Sequence, residues 1–354
     1  MMRNTWLRLL ALLLSFAMVA AACGDDEEEP AATGTEEPAD GDAEEPADGD
    51  AEEPADGDAE EGAGGVSLAG ICPDPLVIQT DWFPEAEHGA MYQLIGEGYT
   101  VDTELLAVNG PMVLGGQDLG INWEVRTGGP AIGFQPVSTV MYTDDSIHLG
   151  YATTDGQVAQ FSSAPLLSVV APLEQNPQII MWDPETYPDV ETLADLGEAG
   201  VTINVFAGGT FSEVFVAQGI WSADQIDPSY DGSPARFISE GGAIAQQGFA
   251  SAEPFTYENE FPEWGKPVAF QTLHDAGFQV YSQTVAVRAG ELEELRPCLE
   301  QVVPVIQQAV VDYRVDPSAA NAVIIDAVEQ FDTFWLFIAN NVGSGNNILS
   351  FFLL

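Results

Sequence analysis

The residues best equipped for chemistry stand together at 81–89. There Asp81-Trp82-Phe83-Pro84-Glu85-Ala86-Glu87-His88-Gly89 follows the apolar, β-branched run Leu76-Val77-Ile78-Gln79-Thr80. An indole on an exposed turn can stack on a flat ligand, and carboxylates beside it can accept that ligand's N–H groups. The blander readings are Trp82 as a core aromatic at a strand end and Glu85 and Glu87 as surface charges. His88, His148 and His274 are the three histidines, and none stands at metal-ligand spacing, so the sequence predicts no metal site. Gly208-Gly209-Thr210-Phe211 opens a predicted helix. Its free N–H groups and dipole suit an anionic or electron-rich ligand group; the alternative is a tight turn that needs glycine. Ser251, Glu253 and Tyr257 are close in sequence. A buried Glu253 has to be hydrogen-bonded or paired, either with a ligand or with an arginine.

The elements that must hold these residues alternate. Strands are predicted at 76–80, 103–108, 121–126, 147–152, 166–171, 201–206 and 280–287. Helices are predicted at 88–98, 190–196, 211–219, 292–311 and 319–340, with a turn running into a helix over 131–140. Such alternation makes a parallel or mixed α/β sheet with helices on its faces. Ligands of such sheets sit outside the carboxyl ends of the strands. The turns at 81–88, 128–135 and 207–211 all fall there. No Gly-x-Ser-x-Gly, P-loop or Cys-x-x-Cys motif accompanies them, which argues against an enzyme.

The N-terminus directs the chain outward. Arg3 and Arg8 precede an apolar run from Leu9 to Ala22, and Cys23 follows three alanines. This is the pattern of a secretory signal, too short to be a stable membrane span. Val19-Ala20-Ala21-Ala22-Cys23 resembles a bacterial lipobox, with Ala20 where leucine is usual. It implies lipidation of Cys23 and an extracytoplasmic, membrane-anchored protein; ordinary signal cleavage beside a chance cysteine is the alternative. Glu-Glu-Pro-Ala-Asp-Gly-Asp-Ala then occurs three times in succession, at 36–43, 44–51 and 52–59. The segment from Asp25 to Glu61 holds 19 acidic residues and no basic one. With no apolar face to bury, it reads as a disordered tether spanning roughly 35–40 Å or more. The expected division is therefore a signal peptide at 1–22, a lipidated linker at 23–66 and a binding domain at 67–354.

Beyond the tether, 38 acidic residues face six basic ones, Arg126, Arg236, Lys266, Arg288, Arg296 and Arg314, for a net charge near −32. That excess excludes nucleic acid as a partner and repels small anions at long range. Cys72 and Cys298 remain. In an oxidising compartment they read as a disulfide, with two buried free thiols as the alternative.

The 81–89 segment, followed by Tyr92 and Gly98-Tyr99, resembles the start of the sulfonate, nitrate and thiamine-pyrimidine-precursor family of periplasmic binding proteins. There an Asp-Trp-x-Pro-x-x-x-His-x pattern lines the ligand cleft. The likeness continues through Gly128-Gly129-Pro130-Ala131-Ile132-Gly133-Phe134-Gln135, Asn176-Pro177-Gln178, Ser229-Tyr230-Asp231-Gly232-Ser233-Pro234, Gln246 to Pro254 and His274-Asp275-Ala276-Gly277. It implies a type II periplasmic-binding-protein fold: two α/β lobes, at about 72–170 plus 270–354 and at 171–269, with crossovers at a hinge and a cleft between. It also implies a monomeric clamp that hands a small solute to ABC permease subunits, without a cofactor. A sensory or partner lipoprotein with the same clamp is the alternative. Trp82, Glu85 and His88 carry over from the pattern. Tyr92, Phe134, Gln135, Gly209, Thr210, Asp231, Ser251, Glu253 and Tyr257 complete the expected cleft.

Aromatic and carboxylate groups on so acidic a chain suit a neutral or cationic nitrogen heterocycle such as an aminopyrimidine. A sulfonate or nitrate would need basic donors, and only Arg126 is near. An enzyme of this fold, the eukaryotic thiamine-pyrimidine synthase, relies on a cysteine-rich iron loop and a lysine that holds pyridoxal phosphate. Lys266 is the only lysine here and no cysteine cluster exists, so that activity is not expected. The likeness fades after Trp335, and the apolar ending Asn346 to Leu354 is the ending expected of a truncated or frame-shifted reading frame.

Overall fold

A computed structural model describes residues 66–337. The signal segment, Cys23, the acidic repeats and the tail after Phe337 lie outside the described residues. Strand β1 (Leu76–Gln79) is buried throughout. Leu76 and Ile78 enter one apolar cluster and Val77 another, the two-residue alternation of a strand covered on both faces. The chain then turns through 81–85 into a 3₁₀ turn, Ala86–His88, that continues as helix α1 (Gly89–Tyr92). This helix is shorter than the predicted 88–98. After Tyr92 the backbone pairs sideways instead, Gly96 N–H donating to Pro111 O at 2.8 Å and Val113 N–H to Leu94 O at 2.9 Å.

The acceptor chain belongs to β3 (Ala107–Leu114), which follows β2 (Thr100–Asp102) and returns through β4 (Gln117–Arg126). The sequence reading broke this hairpin into separate strands at 103–108 and 121–126. It overlooked Gly115-Gly116, whose φ angles of 55° and 79° make the two-residue turn. Helix α2 (Val137–Met141), β5 (Leu149–Ala152), α3 (Thr154–Gln160) and β6 (Leu166–Val170) complete this part of the chain.

Between 170 and 178 the chain crosses to a second sheet. There β7 (Gln178–Trp182), α4 (Leu193–Glu198), β8 (Ile203–Asn204), α5 (Thr210–Ala217) and β9 (Ile226–Asp227) follow in order. Next come α6 (Ala235–Ser239), β10 (Ala245–Phe249), α7 (Glu253–Asn259) and β11 (Ala269–Thr272). The five strands lie in the order β11-β7-β10-β8-β9. Ile180 and Trp182 pack on one face, Ile179 and Met181 on the other.

Between 272 and 284 the chain returns as β12 (Thr284–Arg288), completing a seven-stranded sheet in the order β2-β3-β4-β1-β5-β12-β6. β1 runs parallel to β4 and β5, and β12 antiparallel to β5 and β6. The molecule therefore has the two α/β lobes, joined by two crossovers, that the resemblance implies. Helices α8 (Leu292–Val315) and α9 (Ser318–Phe331) cover the first lobe with Val302, Ile306, Ile324 and Val328. Helix α9 stops short of the predicted Asn340, since Asp332 turns left-handed with φ 48°. Cys72 and Cys298 form a disulfide with Cα atoms 4.7 Å apart, fastening the start of the domain to α8.

Candidate functional site

A cavity of about 450 Å³ opens between the lobes. It lies at the carboxyl ends of β1, β4, β8, β9 and β10, the position that open α/β sheets reserve for ligands. Trp82 is its central side chain. The ring stands 5.3 Å from Phe206 of the second lobe, 6.2 Å from Phe134 and 5.9 Å from Trp335, centroid to centroid. Tyr230 packs on Phe206 at 4.6 Å. Trp335 is held in place by its indole N–H, which donates to Pro84 O at 3.0 Å.

Glycine at two turns makes room for the indole. A Cβ at Gly129 would come within 2.4 Å of the Trp82 ring, and one at Gly232 within 2.8 Å. Both glycines also have positive φ, 59° and 88°. One belongs to each lobe, so the tryptophan is gripped from both sides.

Carboxyl groups line the rest. Asp81, Glu85, Asp231 and Glu253 border the cavity with Gln135, Gln178 and Gln247, and among the described residues no lysine or arginine does. Glu85 is buried and its pKa is raised well above the usual value, first by burial and then by Glu87, Asp81 and Glu253. Burial likewise pushes Glu253 up to about 7, against the lowering pull of the Phe249 N–H that donates to it at 2.6 Å. Burial raises Glu87 as well, offset in part by the Ser251 hydroxyl, which donates to it across the lobes. Asp155 and Thr210 make a second hydrogen bond between the lobes. Two polar clasps and the contacts of Phe206 with Trp82 and Phe134 thus join the lobes.

Among the expected cleft residues, Trp82, Glu85, Phe134, Gln135, Asp231 and Glu253 line the cavity. Others stand apart from it. Tyr92 and Tyr257 are buried behind the wall, Tyr257 accepting from Gln246 at 2.6 Å. Gly209 and Thr210 do not line the cavity, and Thr210 serves as a clasp. Ser251 bonds Glu87.

His88 lies under the wall, its Nε2 2.7 Å from Asp81 and 3.7 Å from Glu85. No histidine stands at metal-ligand spacing along the chain, yet this one has two carboxyl groups beside it. One donor atom each of Asp81, Glu85 and His88 lie within 4.8 Å of one another.

Sequence reading missed Phe206, Tyr230, Gln247 and Trp335 on the cavity wall, and Gln283, whose amide Nε2 donates to both Asp81 carboxylate oxygens at 3.2 Å. Phe206 immediately precedes the Gly-rich turn at a strand's carboxyl end, and Tyr230 and Gln247 lie inside segments already marked by resemblance. Those were usable signals. Gln283 and Trp335 carried none.

No protein-family model matches the chain, and no curated protein matches its sequence. Solved structures do match. The periplasmic aliphatic sulphonate-binding protein of Escherichia coli superposes with a TM-score of 0.50 at 16% identity, over 78% of this chain and 84% of that one. The alkanesulfonate-binding protein of Xanthomonas axonopodis pv. citri bound to MOPS gives 0.45 at 16% identity, over 73% and 84%. A Candida albicans protein described as having the generic periplasmic-binding-protein fold gives 0.44 at 11% identity, over 77% and 79%. The chain has the periplasmic-binding-protein fold.

Proposed function

We propose that this protein is the extracytoplasmic solute-binding component of an ABC importer. It captures a neutral or cationic nitrogen heterocycle, such as a pyrimidine, by closing its lobes on it. The observation that carries the reading is the cavity wall. Aromatic rings from both lobes, Trp82 and Phe206, meet beside Glu85 and Glu253, with no lysine or arginine on the wall among the described residues.

A flat ring stacks on the aromatics, while ring nitrogens and amino groups hydrogen-bond the carboxyl groups. An anion finds no such welcome. Arg126, the one nearby base, is engaged by Glu124 at 2.6 Å and Asp144 at 3.0 Å. Binding, not catalysis, is the chemistry of such a wall. The two crossovers between the lobes support hinge closure, and the closed form is the one a permease would recognise. Attachment through Cys23, with the acidic segment as spacer, and a monomeric state belong to the same proposal. No helix among the described residues is long and apolar enough to cross a membrane.

A thermal-shift screen of the purified chain against pyrimidines, flavins, sulfonates and nitrate tests the reading. A heterocycle should raise the melting temperature. Stabilisation by sulfonates alone would overturn the choice of ligand.

A further inference from the structure

We infer that Gln178 and Gln247 read the solute: their amide N–H groups donate to two acceptor atoms on the edge that faces the second lobe. The first lobe takes the opposite edge through acceptors of its own. The inference rests on the reading of the cavity as a heterocycle site and adds the ring substituents that site selects. Three observations carry it.

The first is the orientation of Gln247, which is 3% exposed and lines the cavity. Phe206 N–H, which can only donate, bonds its Oε1 at 3.0 Å. The carbonyl end is therefore committed to the protein, and the NH₂ end is turned elsewhere. Nε2 has no hydrogen-bond partner among the described residues and is not walled in by them, so it opens on the cavity. A free donor on so deeply buried a side chain calls for a partner.

The second is Gln178, oriented by a relay. Its own backbone N–H donates to Asn176 Oδ1 at 2.9 Å. The other end of Asn176 is then its NH₂ group, which donates to Gln178 Oε1 at 3.2 Å. Gln178 Nε2 is left as a second free donor on the cavity wall. In the antiparallel pairing of β10 with β7, Gln178 stands opposite Phe249 and Gln247 opposite Ile180. The two glutamines are thus diagonal neighbours on one face of the sheet, roughly 7–8 Å apart, close enough for long side chains to meet one small solute.

The third is the opposite polarity of the first lobe. Gln135 Nε2 donates to Ile132 O at 3.1 Å, which leaves the carbonyl oxygen of Gln135 as its free end. This side chain borders the cavity with the carboxyl groups of Asp81 and Glu85. The carboxyls of the second lobe each commit one oxygen to nearby backbone, Glu253 accepting from Phe249 N–H at 2.6 Å and Asp231 from Ser233 N–H at 2.9 Å. A flat solute held against Trp82 therefore meets amide donors on one side and acceptors on the other. An oxo-substituted amino heterocycle answers both. Its carbonyl oxygen and ring nitrogen face Gln178 and Gln247, and its amino group faces the first lobe. A diamino heterocycle instead sets an N–H donor against the glutamine donors.

The test uses the full chain and a matched pair of compounds, cytosine and 2,4-diaminopyrimidine, titrated calorimetrically at a pH at which both are neutral. They differ at one ring position, which carries a carbonyl acceptor in the first and an amino donor in the second. The wild type should bind cytosine about 10-fold or more tightly than the diamine, which forfeits a hydrogen bond and leaves a buried donor unpaired. In Gln178→Glu and Gln247→Glu one carboxylate oxygen keeps the internal bond and the other replaces the NH₂ group. Each variant should lose affinity for cytosine, and the preference should narrow or reverse. Should Gln247→Glu fold poorly, the half-buried Gln178→Glu and the wild-type ranking decide. Equal affinities in the wild type, a preference for the diamine, or a preference unchanged in folded Gln178→Glu would overturn the inference and leave heterocycle capture standing. Failure of both compounds to bind would count against heterocycle capture itself and remove this inference with it.

Discussion

The indole of Trp82, on the turn after β1, and the ring of Phe206, beyond β8, meet across the cleft with centroids 5.3 Å apart and planes inclined at 59°. One ring belongs to each lobe, so any flat solute admitted between the lobes is placed against both. Replacing Trp82 by alanine removes one stacking surface, a loss of about 1–3 kcal/mol per stacked ring. The affinity for a heterocyclic solute should fall roughly 5- to 150-fold, measured by calorimetric titration. An unchanged affinity would remove Trp82 from the binding surface.

Ser251 and Glu87 form one of the clasps between the lobes. Ser251→Ala leaves a buried carboxyl without that donor, at a cost of about 1–3 kcal/mol. The urea midpoint should fall accordingly, and small-angle scattering should show a larger radius of gyration as the lobes part. Glu87→Gln keeps an acceptor for the serine and should preserve the compact form.

Glu253 makes stability depend on pH. Its folded pKa of about 7 lies above the ordinary 4.5. Between those values the folded chain binds more protons at this group than the unfolded chain does. Stability therefore falls as pH rises from about 4.5 to about 7 and is level above that, a contribution of about 3 kcal/mol at face value. Glu253→Gln should flatten this part of the profile relative to the wild type when urea midpoints are compared across pH. Parallel wild-type and variant profiles would show that Glu253 is ionised throughout.

The disulfide closes a loop of 226 residues. On the chain-entropy account, Cys298→Ser costs about 5 kcal/mol as an upper value, because the unfolded chain regains the freedom the bridge removes. Reduced wild type and the serine variant should melt together, well below the oxidised protein. Equal melting of oxidised and reduced forms would contradict this.

What the sequence discloses is what is local. The run at 76–80 declares a buried strand by composition, and Trp82 and Glu85 stand beside it in a compact motif. Cys72 and Cys298 pair because they are the two cysteines beyond the tether. What it hides is set by distant partners. Helix α1 is cut short because residues 94–96 pair with β3, which no 3.6-residue pattern foretells. Phe206 joins the site only when β8 lies opposite β1. Gln283 reaches His88 from 195 residues away, on the returning crossover. The contact of His88 with Asp81 arises at a turn, so counting residues between histidines could not expose it.

Capture of a nitrogen heterocycle between the lobes can be measured by isothermal titration of the dialysed full chain with an aminopyrimidine, ethanesulfonate and nitrate. One saturable site per chain is expected for the heterocycle, weakened in Trp82→Ala, with no binding heat for either anion. Tight binding of ethanesulfonate or nitrate, with none of the aminopyrimidine, would refute heterocycle capture.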